Sequence, residues 1–172
     1  MIDCFRPSPH HNDRPSNSEI KLLVIHNIAL PPNSYSGPWV DDLFMGRLDP
    51  EAHPYFKTLD GLRVSAHLFI RRTGLCIQYV AFDKRAWHAG QSIWQGETDC
   101  NNFSIGIELE GSDEEPYHDE QYHKLAEVIN ALCIDYPLIN LHSICGHSDI
   151  AAGRKSDPGA AFDWQYLYSF IN

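Results

Sequence analysis

Positive charge is scarce in this sequence. Among 172 residues, 13 are Lys or Arg against 23 Asp or Glu, a formal charge of -10 with histidine neutral. Nucleic acid needs a basic face to meet its phosphates, and an anionic membrane surface asks the same, so neither is expected as a partner. Long apolar runs are also missing, and no window approaches the ~20 residues of a bilayer-spanning helix. The first residues, Met1-Ile2-Asp3-Cys4-Phe5-Arg6-Pro7, lack a basic segment followed by an apolar one and do not read as a signal peptide. The five cysteines (Cys4, Cys76, Cys100, Cys133 and Cys145) are odd in number, irregularly spaced and without a C-x-x-C pair. That speaks against a secreted disulfide framework; reduced, mostly buried thiols in a cytoplasmic protein are expected. Repeats and low-complexity tracts are absent too.

What is present is enough for one core. Apolar residues make up 43% of the chain and are spread along it, so residues 1–172 are expected to form a single domain. Residues 1–19 are polar, carry Pro7, Pro9 and Pro15, and read as an irregular arm. Ile20 to His26 is nearly continuous in apolar residues, as in a strand buried on both faces. A Pro-rich loop follows to Pro38, then a short helix from Trp39 to Phe44. Two apolar runs flanking Arg72-Thr73-Gly74 suggest a β-hairpin between His67 and Val80. Phe103 to Glu110 reads as another strand, and Ser143 to Ile150 contains a last one. Tyr122, Leu125, Val128, Ile129 and Leu132 have helical spacing, which predicts a helix over Asp119 to Tyr136 with Asp119 as its cap. Asp163 to Ile171 is expected to be a C-terminal helix. Strands interspersed with helices and long loops predict an α/β domain.

Three features carry chemistry. His26 stands where an apolar strand gives way to a loop, a common place for a functional side chain, although a half-buried histidine with a satisfied hydrogen bond fits equally. The stretch Gly146 to Gly159 holds His147, Asp149, Lys155 and Asp157. It is either a solvated loop or a source of ligands that suit Zn²⁺, where three protein ligands leave a fourth position for water. In the strand Ile105 to Gly111, alternation puts Gly106, Glu108 and Glu110 on one face, with the carboxylates ~7 Å apart. Such a face is either exposed to water or functional, because two buried acids are costly unless paired. His10, His11, His118, His123 and His142 read as surface or structural residues.

Several blocks together resemble the type 2 N-acetylmuramoyl-L-alanine amidases, the superfamily of the peptidoglycan recognition proteins and phage T7 lysozyme. The blocks are Val24-Ile25-His26-Asn27, His53-Pro54-Tyr55-Phe56, Arg63-Val64-Ser65-Ala66-His67, Phe82 to Gly90, Asn102 to Gly111, and Arg154-Lys155-Ser156-Asp157-Pro158-Gly159. Within that superfamily the resemblance is to the amidases of 1,6-anhydro-N-acetylmuramoyl peptides, and it spans about Pro7 to Asp163. It implies a mixed central β-sheet flanked by helices, with a zinc cleft on one side. It implies His26, His147 and Asp157 as Zn²⁺ ligands, Glu108 as the catalytic acid/base and Lys155 as the catalytic lysine, with Glu110 at most in support. The implied reaction cleaves the amide between the lactyl group of 1,6-anhydro-N-acetylmuramic acid and L-alanine of the stem peptide, in cytoplasmic recycling of peptidoglycan fragments. No obligate protein partner is implied.

An acidic protein that binds a peptide with several carboxylates needs a cleft that is locally basic or rich in donors. Arg63 is the candidate anchor, Asn27 a donor to the peptide backbone, and Phe44, Tyr55 and Trp87 apolar walls, unless these aromatics serve only the core. One departure stands out: where the family pattern has a basic residue that helps hold the ligand, this chain has Asp99. Two rival readings are an amidase of intact cell wall and a non-catalytic muropeptide-binding module; the full ligand set with Glu108 and Lys155 opposes the second.

Overall fold

The first nineteen residues depart from expectation. In the computed structural model, which describes residues 2–171 and leaves Met1 and Asn172 outside the described residues, they hold two short strands, β1 (Cys4–Phe5) and β2 (His11–Asp13). Main-chain bonds tie this stretch down: Asp3 N to Cys76 O at 2.9 Å, Arg6 N to Gln78 O at 2.8 Å and Ser8 N to Tyr79 O at 2.9 Å. The polar composition concealed this because ladder bonds use backbone groups that every residue but proline carries in full. The Arg14 side chain adds a lock, donating to the carbonyls of Phe82, Asn101, Asn102 and Ser104.

The predicted strands and helices follow in order, joined by three short strands and a one-turn helix that the sequence did not suggest. They are β3 (Leu22–Ile28), α1 (Trp39–Phe44), β4 (Leu68–Ile70), β5 (Cys76–Gln78), β6 (Lys84–Ala86), β7 (Ile93–Trp94), β8 (Glu97–Thr98), β9 (Ser104–Glu110), α2 (Asp119–Asp135), β10 (Ile144–Gly146), α3 (His147–Ile150) and α4 (Trp164–Tyr168). Six strands form one mixed sheet in the order β1-β5-β4-β9-β3-β10. The four from β4 to β10 run parallel, and β5 turns back antiparallel to β4 through the predicted hairpin. Two small ribbons, β2–β6 and β7–β8, sit outside the sheet.

Both faces of the sheet are covered. On one, Tyr122, Leu125, Val128, Ile129 and Leu132 of α2 join Leu23, Ile25, Ile105, Ile107 and Leu109 in one cluster. Each such side chain taken fully from water contributes ~1.5–3 kcal/mol. The cap lies one residue before the predicted one: His118 is the N-cap, and its N–H donates to Gln121 Oε1 at 3.2 Å. Asp119 instead occupies the first turn, where a carboxylate meets the positive end of the helix dipole. The other face is filled by Leu43, Phe44, Phe56, Phe69, Ile77 and Tyr79, and beside them by Leu22, Val24, Cys100 and Phe103.

Double coverage decides the fate of β9's second face. Glu110 is 3% exposed. Its Oε1 accepts from Ser36 N at 2.6 Å and Arg71 Nη1 at 3.2 Å, and its Oε2 from Arg72 N at 3.1 Å. It is a fully committed carboxylate that pins the loop before α1 to the end of the β4–β5 hairpin. The solvated-strand reading does not apply.

Candidate metal centre

Strand register brings the chemistry together. β3 and β9 pair in parallel with His26 opposite Glu108, and β10 lies on the other side of β3 with Gly146 opposite Ile25. His147 follows as the first residue of α3. The carboxyl ends of parallel strands are where crevices open in α/β sheets. Asp157 reaches the same point because its loop folds back onto β10, with Ser148 N donating to Asp157 O at 3.0 Å. The approach is so close that a Cβ on Gly146 would sit 2.7 Å from Pro158 Cδ, so only glycine fits there.

The three expected ligands converge. His26 Nδ1, His147 Nδ1 and Asp157 Oδ2 lie 3.0 Å from one another. Tetrahedral zinc with ~2.0–2.1 Å bonds holds its ligands ~3.3 Å apart, close to this spacing. The donor chemistry also fits. His147 Nε2 is 3.0 Å from the Ala89 carbonyl, which can only accept, so the proton sits on Nε2 and the Nδ1 lone pair faces the triad. A carboxylate oxygen and imidazole lone pairs at mutual contact repel unless a cation lies among them. Among the described residues this is the one group of three side chains spaced to hold a metal ion.

Electrostatics agree. Burial pushes His26 down to about 4, against the opposing effect of Asp157, so it is the neutral imidazole a metal requires. Burial by itself would raise Asp157, but the imidazoles of His147 and His26 against its carboxylate outweigh that and hold it far below the carboxylate range. Glu108 is the opposite case. Burial and then the Asp157 charge raise its pKa well above the ordinary 4.5, with Lys155 opposing. Its Oε2 is buried without a hydrogen-bond partner. A carboxyl so placed takes up a proton more readily than an ordinary one, as a general acid/base requires.

These residues stand in a cleft of ≈ 740 Å³ lined by Glu108, His147, Lys155 and Asp157 among others. The expected substrate contacts fare unevenly. Tyr55 lines the cleft and is 37% exposed. Trp87 lines it half-buried, its Nε1 donating to Asn12 Oδ1 at 2.6 Å. Asn27 lines it too, but its amide already donates to Asp113 Oδ1 at 2.8 Å and Pro158 O at 3.0 Å. Phe44 borders it while only 1% exposed, packed edge-on to Phe69 and Tyr79. Arg63 is not brought to this cleft; it lines a separate hollow of ≈ 220 Å³. Asp99 is exposed, in a left-handed backbone conformation, and also lies outside the cleft lining. The positive charge in the lining comes instead from Arg154 and Lys155, which share it with Asp113 and Glu114. Sequence reasoning passed over Arg154, whose Nη2 donates to the Ala89 and Gln91 carbonyls, and His88, which touches His26 directly. The Trp87-His88-Ala89-Gly90 block was a signal for His88, but nothing in it tells which strand the ring meets.

A family model described as N-acetylmuramoyl-L-alanine amidase matches residues 16–160. The chain is 58% identical over 158 residues to the 1,6-anhydro-N-acetylmuramyl-L-alanine amidase AmpD of Escherichia coli (strain K12), covering 92% of this chain and 86% of that one. Among solved structures, a selenomethionine derivative of AmpD superposes with a TM-score of 0.96 at 51% identity, over 100% of this chain and 99% of that one. The E. coli amidase AmiD, solved with anhydro-N-acetylmuramic acid-L-Ala-D-γ-Glu-L-Lys, gives a TM-score of 0.66 at 29% identity, over 92% of this chain and 61% of that one.

Proposed function

The chain belongs to the N-acetylmuramoyl-L-alanine amidase family, and from that premise we propose that it is a single-domain zinc amidase acting on soluble anhydromuropeptides in the cytoplasm. It hydrolyses the amide between the lactyl group of 1,6-anhydro-N-acetylmuramic acid and L-alanine of the stem peptide, a step of peptidoglycan recycling. Similarity to AmpD over almost the whole chain supports the substrate class. The observation that carries the mechanism is the His26–His147–Asp157 triad beside the unpartnered Glu108 Oε2 in the cleft.

Zn²⁺ held by His26, His147 and Asp157 would supply Lewis acidity, making water more acidic and the scissile carbonyl more electrophilic. Glu108 accepts a proton from the attacking water and delivers it to the L-alanine nitrogen as the C–N bond breaks. Its raised pKa suits it to hold that proton between the two events. Lys155, exposed on the cleft rim, stabilises the developing oxyanion. Tyr55 and Trp87 flank the sugar and peptide, and Asn27, tethered to Asp113, presents its side-chain carbonyl rather than a free donor. Phe44 supports this wall from behind. The peptide carboxylates meet Arg154 and Lys155, with Arg63 acting only on a ligand that extends beyond the cleft. The cytoplasmic assignment rests on five free cysteines, and no helix among the described residues is long and apolar enough to cross a membrane.

Mass analysis of the products from purified anhydromuropeptide tests this. Free stem peptide should be released, the release should stop with a chelator and return with Zn²⁺, and intact sacculi should be digested poorly. Binding without cleavage by the zinc-loaded chain would make it a recognition module, and efficient digestion of sacculi would make it a wall amidase.

A further inference from the structure

His88 does not belong to the triad, yet it sits against it. Its Nδ1 is 3.0 Å from His26 Nε2, and its Nε2 is 3.1 Å from Ser104 Oγ. Ser104 Oγ in turn lies 2.6 Å from the Cys100 carbonyl. These contacts can be ordered by proton counting. A carbonyl only accepts, so the single Ser104 hydroxyl proton goes to Cys100 O. Ser104 Oγ must then accept at its other contact, which requires a proton on His88 Nε2. A neutral His88 therefore presents a lone pair at Nδ1, and the proton between the two rings belongs to His26 Nε2. That leaves the Nδ1 lone pair of His26 facing His147 and Asp157.

Every member of this chain is buried, with Ser104 at 0%, His26 at 1% and His88 at 9% exposure, so water does not readily stand in for any of them. The backbone makes room for it. A Cβ on Gly106 would lie 2.3 Å from His88 Cγ and 2.5 Å from its Nδ1, so the ring occupies the space a side chain on β9 would take. The anchoring is shared with the second histidine. Asn101 Oδ1 accepts from His88 N at 3.1 Å and Ala89 N at 2.8 Å, and the Ala89 carbonyl is the group that accepts from His147 Nε2. One buried amide oxygen thus holds the dipeptide that orients both imidazoles of the triad.

We infer that His88 is a positioning residue for the metal centre: directed by Ser104 and seated over Gly106, it fixes His26 as the Nε2–H tautomer with Nδ1 free to ligate. The inference rests on the triad being the zinc site. Outer hydrogen bonds of this kind typically change metal affinity ~10–100-fold when removed.

The test uses the zinc-loaded full chain with ¹⁵N-labelled histidine. The proton bonded to His26 Nε2 should show a coupling across the hydrogen bond to His88 Nδ1, a signature that mere space-filling by His88 would not produce. Zinc affinity is then measured by chelator competition in two variants of matched shape. His88→Leu, which fills the space but offers no acceptor, should bind zinc ~10–100-fold more weakly. His88→Asn, whose Oδ1 stands where Nδ1 was, should restore affinity to within a few-fold of wild type. Ser104→Ala, a smaller change, should shift the His88 Nε2–H resonance even if the Leu variant does not fold. Absence of the coupling, or equal affinities in folded Leu and Asn variants, would overturn the inference while leaving the zinc site intact. Failure of the wild-type chain to bind zinc would remove the metal site and this role with it.

Discussion

Replacing Glu108 with Gln keeps the shape of the side chain and removes its ability to take a proton. A positioned acid/base contributes ~10²–10⁴-fold to rate, or ~3–5 kcal/mol of barrier, so turnover should fall by that factor. Glu108 is not one of the three converging ligands, so zinc content should be unchanged. Stability should move the other way. Burial and the Asp157 charge raise the folded pKa of Glu108 above its ordinary 4.5. The stability this group contributes is therefore complete below pH 4.5 and is lost as pH rises through the folded value. In the zinc-free chain at neutral pH, the Gln variant should match or exceed wild type, because it removes the charge that burial and Asp157 penalise, by ~1.4 kcal/mol for each pH unit by which the folded value is raised. The advantage should shrink as pH falls toward 4.5. Product release assays, metal analysis and urea midpoints between pH 4.5 and 8 read the three effects. Activity within tenfold of wild type, or loss of zinc, would refute the role given to Glu108.

Other consequences are more local. His26→Ala and Asp157→Ala should each abolish stoichiometric zinc binding, and chelation of wild type should lower Tm, since a ligand present at ~1,000 times its Kd stabilises by ~4 kcal/mol; calorimetry with and without chelator checks both. Gly106→Ala forces a Cβ to within 2.3 Å of His88 Cγ and should cost ~1–3 kcal/mol, visible as a melting shift. Asp41 accepts from Arg6 at 2.6 Å, Arg47 at 2.6 Å and Tyr79 at 2.7 Å. Because both arginines are partly exposed and can return to water, Asp41→Asn should cost only ~1–3 kcal/mol in a denaturant melt. Burial pushes the Asp41 carboxyl up, but the bonds from Arg6 and Tyr79 with the arginine charges carry it below its ordinary 3.8. Its contribution is thus intact above pH 3.8 and lost as pH falls below its folded value.

Pattern made the main elements legible. The continuous apolar run became β3, the hairpin around Gly74 became β4–β5, and the helical spacing from Tyr122 to Leu132 became α2. In each case side-chain periodicity reports the burial that stabilises the element. The two strands among residues 1–19 were hidden because their bonds are backbone bonds. Glu110 was ambiguous for a related reason: alternation told which face of β9 it shares with Glu108, not that a second layer would bury that face.

The three proposed ligands and the proposed acid and lysine could be named from residue chemistry together with family resemblance, because reactive side chains leave a recognisable set of blocks. Their order in space could not. His26 and Glu108 are neighbours through the register of two strands far apart in sequence, and Asp157 joins them only because Gly146 lets a loop approach β10. The same holds for the outer support. His88 was visible as a histidine in a motif, but its task depends on a ring packed over Gly106 and on a serine hydroxyl whose one proton is already committed. Periodicity determined the main elements, and residue chemistry with the family resemblance named the candidate chemistry. Which lone pair faces the metal site, and which carboxylate is left without a partner, was decided only by tertiary packing, because hydrogen-bond direction is a property of neighbours rather than of residues.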